Sequence, residues 1–292
     1  MKSFLICHLG ALGDFILTWP ALHCLRKSLP DYHFLGIGRQ EYMRYAITID
    51  LLDSYLDIET TRIFDFLSGK AILPEIGSPD GAVLWLSKGQ AVVELLKRTA
   101  SLPVIAIDPF PEKRTHVAYY YCQAIQSYFP ISIPQNVTIF LPTGAKKSHN
   151  AFIHPGSGSS KKNYQPQFYR SLADELRQAG YPEVGFIFGP VERARMMAKG
   201  FPGERIEQPQ NIEELANLLS GAALYIGNDS GVSHLSGFLG TPTIALYKTT
   251  DPKVWGVLGR KVIHIRAIEE ESAMLQIREC LRRWNIENYL AE

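Results

Sequence analysis

Residues 224–247 run LYIGNDSGVSHLSGFLGTPTIALY, and a strand, a turn, a helix and a second strand can be read from them in succession. The short apolar run Leu224, Tyr225, Ile226 suits a buried strand, and 227–231 (GNDSG) is a turn of small and polar residues. Val232, Leu235, Phe238 and Leu239 then recur at i, i+3, i+6 and i+7, one face of a helix. Gly240 stops that helix, Pro242 prevents its return, and a β-rich run follows from Thr243 to Leu246. Polar groups therefore gather at a helix N-terminus, where unpaired backbone N–H groups and the positive end of the dipole make a seat for phosphate. His234, in the first turn, adds a donor. Asp229 or Ser230 can equally do no more than cap the helix.

The same alternation extends outward in both directions. Residues 4–9 (FLICHL) form a fully apolar strand that meets the glycine-bracketed turn 10–14, with helical periodicity from near Phe15 to Pro30. Strand patterns at 33–37, 82–86 and 103–107 alternate with helical ones at 42–47, 90–97 and 114–128. Residues 141–150 are polar and rich in breakers, as a linker would be. The pattern restarts at 151–154, continues through a helix over 166–178 with Phe168, Leu172 and Leu176 on one face, and reaches a strand at 184–188. Residues 211–214 (NIEE) resemble a capping box opening the helix that Gly221 closes. Strands alternating with helices predict parallel sheets covered on both faces, so the fold class is α/β with two Rossmann-like domains. The expected organisation is a first domain over 1–142, a second over 150–267, and a terminal helix over 268–292 that can pack back on the first domain.

Bulk composition narrows the function classes. The 292 residues comprise 46% hydrophobic and 20% charged residues, typical of a globular protein, and a net charge of +1 supplies no cationic field for nucleic acid. The N-terminal apolar run is too short for a signal peptide, and no run of about 18 uncharged apolar residues suits a membrane span. Cys7, Cys24, Cys122 and Cys280 lack CxxC spacing and fit free thiols in a reducing cytoplasm.

Three loops sit where a strand's carboxyl end meets a helix, the edge at which open α/β sheets bind ligands. In the first, Gly10 and Gly13 allow close backbone approach and Asp14 projects at the helix start, as a ligand group or as a cap. It is neither a GxGxxG nor a Walker A loop. In the second, 154–164 (HPGSGSSKKNY), Ser157, Gly158 and Ser159 expose amide donors and Lys162 supplies a point charge, a combination suited to a diphosphate. The alternative is a surface loop with solvated lysines. The third is the 227–234 turn, with Asp229, Ser230, Gly231 and His234. Glu192 is a further candidate, either accepting from ribose hydroxyls or standing as a solvated first-turn residue. No DxD pair, HExxH motif or Cys/His cluster offers a metal site, so Lys162, His234 and helix N-termini would have to neutralise a bound phosphate.

Segments 10–22 (GALGDFILTWPAL), 153–166 (IHPGSGSSKKNYQP) and 226–247, with a weaker one at 114–125 (RTHVAYYYCQAI), resemble the signature segments of the ADP-heptose:lipopolysaccharide heptosyltransferase family. The resemblance spans nearly the whole chain in order. It implies a GT-B fold, two Rossmann-like domains facing a cleft, and metal-independent, inverting transfer of a sugar, typically from ADP-heptose, to the lipopolysaccharide inner core. Asp14 matches the family's catalytic aspartate, a general base on the acceptor hydroxyl, and Lys162 matches the lysine on the donor diphosphate. Ser157 to Ser159, Asp229, Ser230, Gly231 and His234 match donor-binding segments. The expected partners are a nucleotide-sugar donor and a lipid-linked saccharide acceptor, with no cofactor, in a cytoplasmic protein peripheral at the inner membrane. Lys88, Lys113, Arg114 and His116 are candidates for an anionic acceptor, or ordinary surface charge. Two departures stand out: Tyr164-Gln165-Pro166 replaces the usual Trp-Pro, and 247–250 (YKTT) replaces a glycine-bearing turn, adding Lys248 near the donor's nucleotide end. The open alternatives are another GT-B enzyme using a different nucleotide sugar, and a nucleotide-binding homologue without catalysis.

Overall fold

The computed structural model describes residues 2–60, 62–86, 91–111, 115–135, 148–194 and 197–291, excepting the side chains of 198 and 284–291. The chain divides into two compact units, Met1–Ile139 and Phe140–Glu292. Lys88, Lys113, Arg114 and most of the linker at 141–150 lie outside the described residues.

The first unit alternates β1 (Ser3–His8), α1 (Leu12–Ile16), α2 (Trp19–Ser28), β2 (His33–Gly38), α3 (Gln40–Thr48), β3 (Ser54–Asp57), α4 (Ile63–Leu67), β4 (Gly81–Trp85), α5 (Ala91–Lys97), β5 (Val104–Ile107) and α6 (Val117–Gln126). Its sheet is parallel throughout, in the order β3-β2-β1-β4-β5. Phe4 to Cys7 of β1 and Ala82 to Leu84 of β4 are fully buried, as expected of central parallel strands covered on both faces. Leu5, Cys7, Ile37 and Leu84 pack with Phe66, Val92 and Leu96 from α4 and α5 on one of those faces.

The second unit contains β6 (Ala151–His154), α7 (Pro166–Gln178), β7 (Val184–Ile187), α8 (Pro190–Ala194), β8 (Arg205–Glu207), α9 (Ile212–Gly221), β9 (Leu224–Asn228), α10 (Gly231–Phe238), β10 (Thr243–Tyr247), α11 (Pro252–Trp255), β11 (Val262–Arg266) and α12 (Glu270–Ala291). This sheet is also parallel, in the order β11-β10-β9-β6-β7-β8. Both units are thus the Rossmann-like α/β layers that the alternation predicts. Pro166 opens α7, whose Phe168, Leu172 and Leu176 are buried against Ile153, Phe186 and Ile226 of the sheet. Asn211 caps α9 by accepting from the Glu214 N–H at 2.8 Å, while the Glu214 carboxylate accepts from Gln210 N–H. Gly240 ends α10 at φ 72°, a left-handed conformation that a side chain resists. Ala273, Ile277 and Leu281 of α12 join the core of this second unit, and Arg278 pairs with Glu175 of α7.

Strand order places the loops. In the first sheet the chain proceeds from β1 outward to β2 and β3, then returns to β4 on the other side. The switch point lies between β1 and β4, and the 9–14 loop leaves the carboxyl end of β1 beside it. In the second sheet the direction reverses between β6 and β9. The 155–165 loop and the 229–230 turn leave those two strands. A topological switch point opens a crevice between loops diverging to opposite faces, the general ligand position of such sheets.

Candidate functional site

Across the second switch point, His154 and Gly227 stand opposite each other in the β6–β9 register, and the chain beyond them builds a polar web. Asp229 is its hub. The carboxylate is 5% exposed and accepts from Lys162 Nζ at 2.7 Å and Thr250 Oγ1 at 2.6 Å, with His234 Nε2 at 3.7 Å. Burial alone would push the Asp229 pKa up, but His234 and Lys162 outweigh it and hold the carboxyl well below the usual aspartate range. Asp229 is therefore committed to cross-linking three segments, and neither it nor Ser230 caps α10 through its side chain. Ser230 Oγ instead meets His154 Nδ1 at 3.2 Å and Ser233 Oγ at 3.4 Å. The N-terminus of α10, starting at Gly231, is left without a side-chain cap. His234 Nδ1 is buried and has no hydrogen-bond partner among the described residues.

The 155–165 loop is held from below. Asn228 donates from Nδ2 to the Pro155 carbonyl at 2.9 Å and accepts from the Tyr169 hydroxyl at 2.9 Å. Tyr169 in turn accepts the Tyr164 N–H at 3.0 Å, and the Tyr164 hydroxyl donates to the Ala267 carbonyl. Ser157, buried, meets the Ser159 carbonyl at 2.6 Å and Asn163 Oδ1 at 2.7 Å, so its hydroxyl shapes the loop from within. Gly158 is exposed and Ser159 half-buried at the loop's crest, ahead of a single 3-10 turn, Ser160–Lys162, that presents Lys162 to Asp229. Lys248 Nζ lies 3.4 Å from the Asn163 carbonyl and 5.2 Å from the centre of the Tyr164 ring.

Glu192 is not a solvated first-turn residue: it is 3% exposed. One oxygen accepts the Gly189 N–H at 2.8 Å and lies 3.5 Å from His154 Nε2, long for a hydrogen bond. Burial opposes its charge, yet His154 and the Gly189 amide lower its pKa below the ordinary value. A Cβ on Gly156 would overlap this carboxylate, so the close approach of loop and helix requires glycine there. Sequence reasoning missed His154, Asn163, Asn228, Tyr169 and Thr250 as parts of the site. Their place beside the singled-out residues in 154–164, 227–234 and 247–250 was the only signal available.

The first unit sets its candidate residues in different surroundings. Asp14, half-buried in the first turn of α1, has its Oδ2 3.3 Å from where a Cβ on Gly10 would stand. His8 Cε1 approaches the same point at 3.0 Å. The His8 ring packs 5.2 Å from Phe15 and 6.2 Å from Trp85, and burial drives its pKa down to about 3, so it is neutral at physiological pH. Tyr42 and Tyr121, both with pKa raised first by burial, feel the Asp14 charge as well. Gly13 lies within α1 and contributes its carbonyl to Leu17 N–H. His116 caps α6, its Nδ1 accepting the Ala118 N–H at 3.3 Å. Among the described residues, no group of three or more His, Cys, Asp or Glu side chains is gathered as metal ligands would be.

Comparison with known proteins matches residues 114–285 to the model of glycosyltransferase family 9 (heptosyltransferase). Lipopolysaccharide heptosyltransferase 1 of Escherichia coli is 28% identical over 155 residues, covering 52% of this chain and 48% of the relative. The chain thus spans about half the length of this curated relative. Among solved structures, the family 9 glycosyltransferase of Veillonella parvula matches with a TM-score of 0.72 at 18% identity, over 95% of this chain and 89% of its own. The E. coli heptosyltransferase WaaC with ADP matches with a TM-score of 0.69 at 20% identity, over 98% of this chain and 100% of its own. At such identities the structural likeness speaks for the fold alone.

Proposed function

This chain belongs to glycosyltransferase family 9, the heptosyltransferases, and from that premise we propose that it transfers a heptose or related sugar from an ADP-sugar to a lipopolysaccharide inner-core acceptor. The transfer inverts the anomeric centre and uses no metal. The observation that carries this reading is the Lys162–Asp229–Thr250 cluster, with His234 beside it, at the switch point of the second sheet next to the uncapped start of α10. N–H donors fixed before the substrate arrives stabilise charge as it develops on a departing diphosphate, at no reorganisation cost during the reaction.

In the reaction, an acceptor hydroxyl oxygen attacks the anomeric carbon while the bond from that carbon to the diphosphate oxygen breaks. Asp14 takes the hydroxyl proton, and the electron pair leaves with ADP. A carboxylate in the first turn of α1 suits the first task because it can accept the proton of an attacking hydroxyl. The amides of the 155–165 loop and α10, with the N–H donors that the Asp229-anchored Lys162 ammonium has left, suit the second. Glu192 supports a ribose contact through its position against Gly156. A lipid-linked acceptor would bring the enzyme to a membrane surface; no helix among the described residues is long and apolar enough to cross one.

A donor screen by calorimetry tests the reading. ADP-heptose should bind in preference to UDP- and GDP-sugars, equally with and without EDTA, and turnover should follow with a lipopolysaccharide core acceptor. Binding that disappears in EDTA would contradict metal independence, and a preference for UDP or GDP donors would move the chain to another substrate class.

A further inference from the structure

We infer that Lys248 supplies the uncompensated positive charge with which the second unit holds the diphosphate of its nucleoside diphosphate donor. The inference rests on the nucleotide-sugar reading above and names a residue outside the matched donor segments.

Lys162, the obvious cation of the 155–165 loop, is already spent. Its ammonium is 2.7 Å from a buried carboxylate, so the Lys162–Asp229 pair presents almost no net charge to an arriving anion. Lys248 is differently placed. It is the first residue after β10, which lies next to β9 in the sheet, and two residues later Thr250 donates to Asp229. Its ammonium rests on the other flank of the same loop, against the carbonyl of Asn163, the residue that follows Lys162. Among the described residues no carboxylate comes within 4.0 Å of it. Its contacts are the Asn163 carbonyl at 3.4 Å, near the long limit of a hydrogen bond, and the face of Tyr164 at 5.2 Å. An ammonium has three donors, so one can stay on the carbonyl while others turn to phosphate oxygens.

Tyr164 is the platform that makes this possible. Its backbone N–H is held by Tyr169 and its hydroxyl by the Ala267 carbonyl, so the ring under Lys248 is fixed at both ends. The two departures from the family pattern noted in the sequence, Tyr164-Gln165 and Lys248, are therefore in contact with each other. Together they add a cation that the usual glycine-bearing turn does not supply.

Calorimetric titration of the full-length protein with ADP, AMP and adenosine separates the cases. Lys248→Met keeps the aliphatic stem over Tyr164 and removes the charge. It should weaken ADP binding about tenfold, leave adenosine binding unchanged and flatten the salt dependence, while Lys248→Arg restores most of the affinity. If the wild-type protein prefers UDP or GDP, the same comparison runs with that diphosphate and its nucleoside. Equal ADP affinity in wild type and Lys248→Met overturns the inference and leaves the donor reading standing. So does an equal loss for ADP and adenosine, which would mark a structural effect. A wild-type protein that binds no nucleoside diphosphate removes both.

Discussion

The surroundings of Asp229 in the second unit and of Asp14 in the first are built from opposite materials. Around Asp229 the second unit buries His154, Ser157, Glu192, Asn228 and His234, each 5% exposed or less, and ties them to one another through side-chain contacts between β6, β9 and the loops that leave them. Near Asp14 the first unit places rings: His8 packs against both Phe15 and Trp85, and Phe15 is also stacked on Tyr42 at 6.4 Å. The contrast follows from what each must do. Under the proposed function, a seat for a leaving diphosphate needs dipoles and charges fixed in advance, and mutual hydrogen bonds fix most of this web, although His154 Nε2 and His234 Nδ1 have no hydrogen-bond partner among the described residues. The general base of the proposed transfer needs only a carboxylate within reach of the acceptor hydroxyl. In the polar web charge is cancelled locally, Lys162 against Asp229.

Substitutions on each side should break this contrast in order of size. Asp14→Ala should lower the transfer rate by about a thousandfold, the scale of lost general-base catalysis, with ADP affinity unchanged by calorimetry. Undiminished transfer would end the role of Asp14. Asp229→Asn acts on the second unit and should cost about 2 kcal/mol in denaturant unfolding at pH 7, because it removes the charge shared by Lys162 and His234. Its pKa is held below the ordinary 3.8, so the stability it contributes is present above that value and drains away as pH falls towards the folded pKa. The variant should therefore lose less stability than wild type on acidification; parallel acid limbs would show that Asp229 is not the charged hub. Glu192→Gln should cost about 1 kcal/mol through its lost attraction to His154. A drop in adenosine affinity alongside would support the ribose contact, and stability loss alone would reduce Glu192 to a cap for Gly189. The smallest effect is expected from Tyr164→Phe, about 1 kcal/mol or less in urea, since only the hydroxyl to Ala267 is lost and the ring under Lys248 remains.

Central strands were legible in the sequence, and of the four edge strands only β5 was. β1, β4, β6 and β9 are short, mainly apolar runs because parallel central strands bury both faces, and α7 shows its buried stripe through Phe168, Leu172 and Leu176. The strands that pattern reading passed over, β3, β8 and β11, all lie at sheet edges, where SYLD, RIE and VIHIR need satisfy only one neighbour and one covered face. Edge position is a property of pairing, and no local pattern encodes it.

The candidate site divides in the same way. The sequence by itself determined which loops matter, because glycines, serines and a first-turn acid following an apolar strand have a direct physical meaning at a helix N-terminus. Only the tertiary structure decided what each side chain does there. Asp229 could be read as a cap until Lys162, 67 residues away, was seen paired with it, and Glu192 as solvated until Gly156 was seen beneath it. Strand order brings β6 beside β9, and with that neighbourhood come the partners that set burial, charge and proton affinity. Those quantities depend on distance in space, which spacing along the chain does not specify.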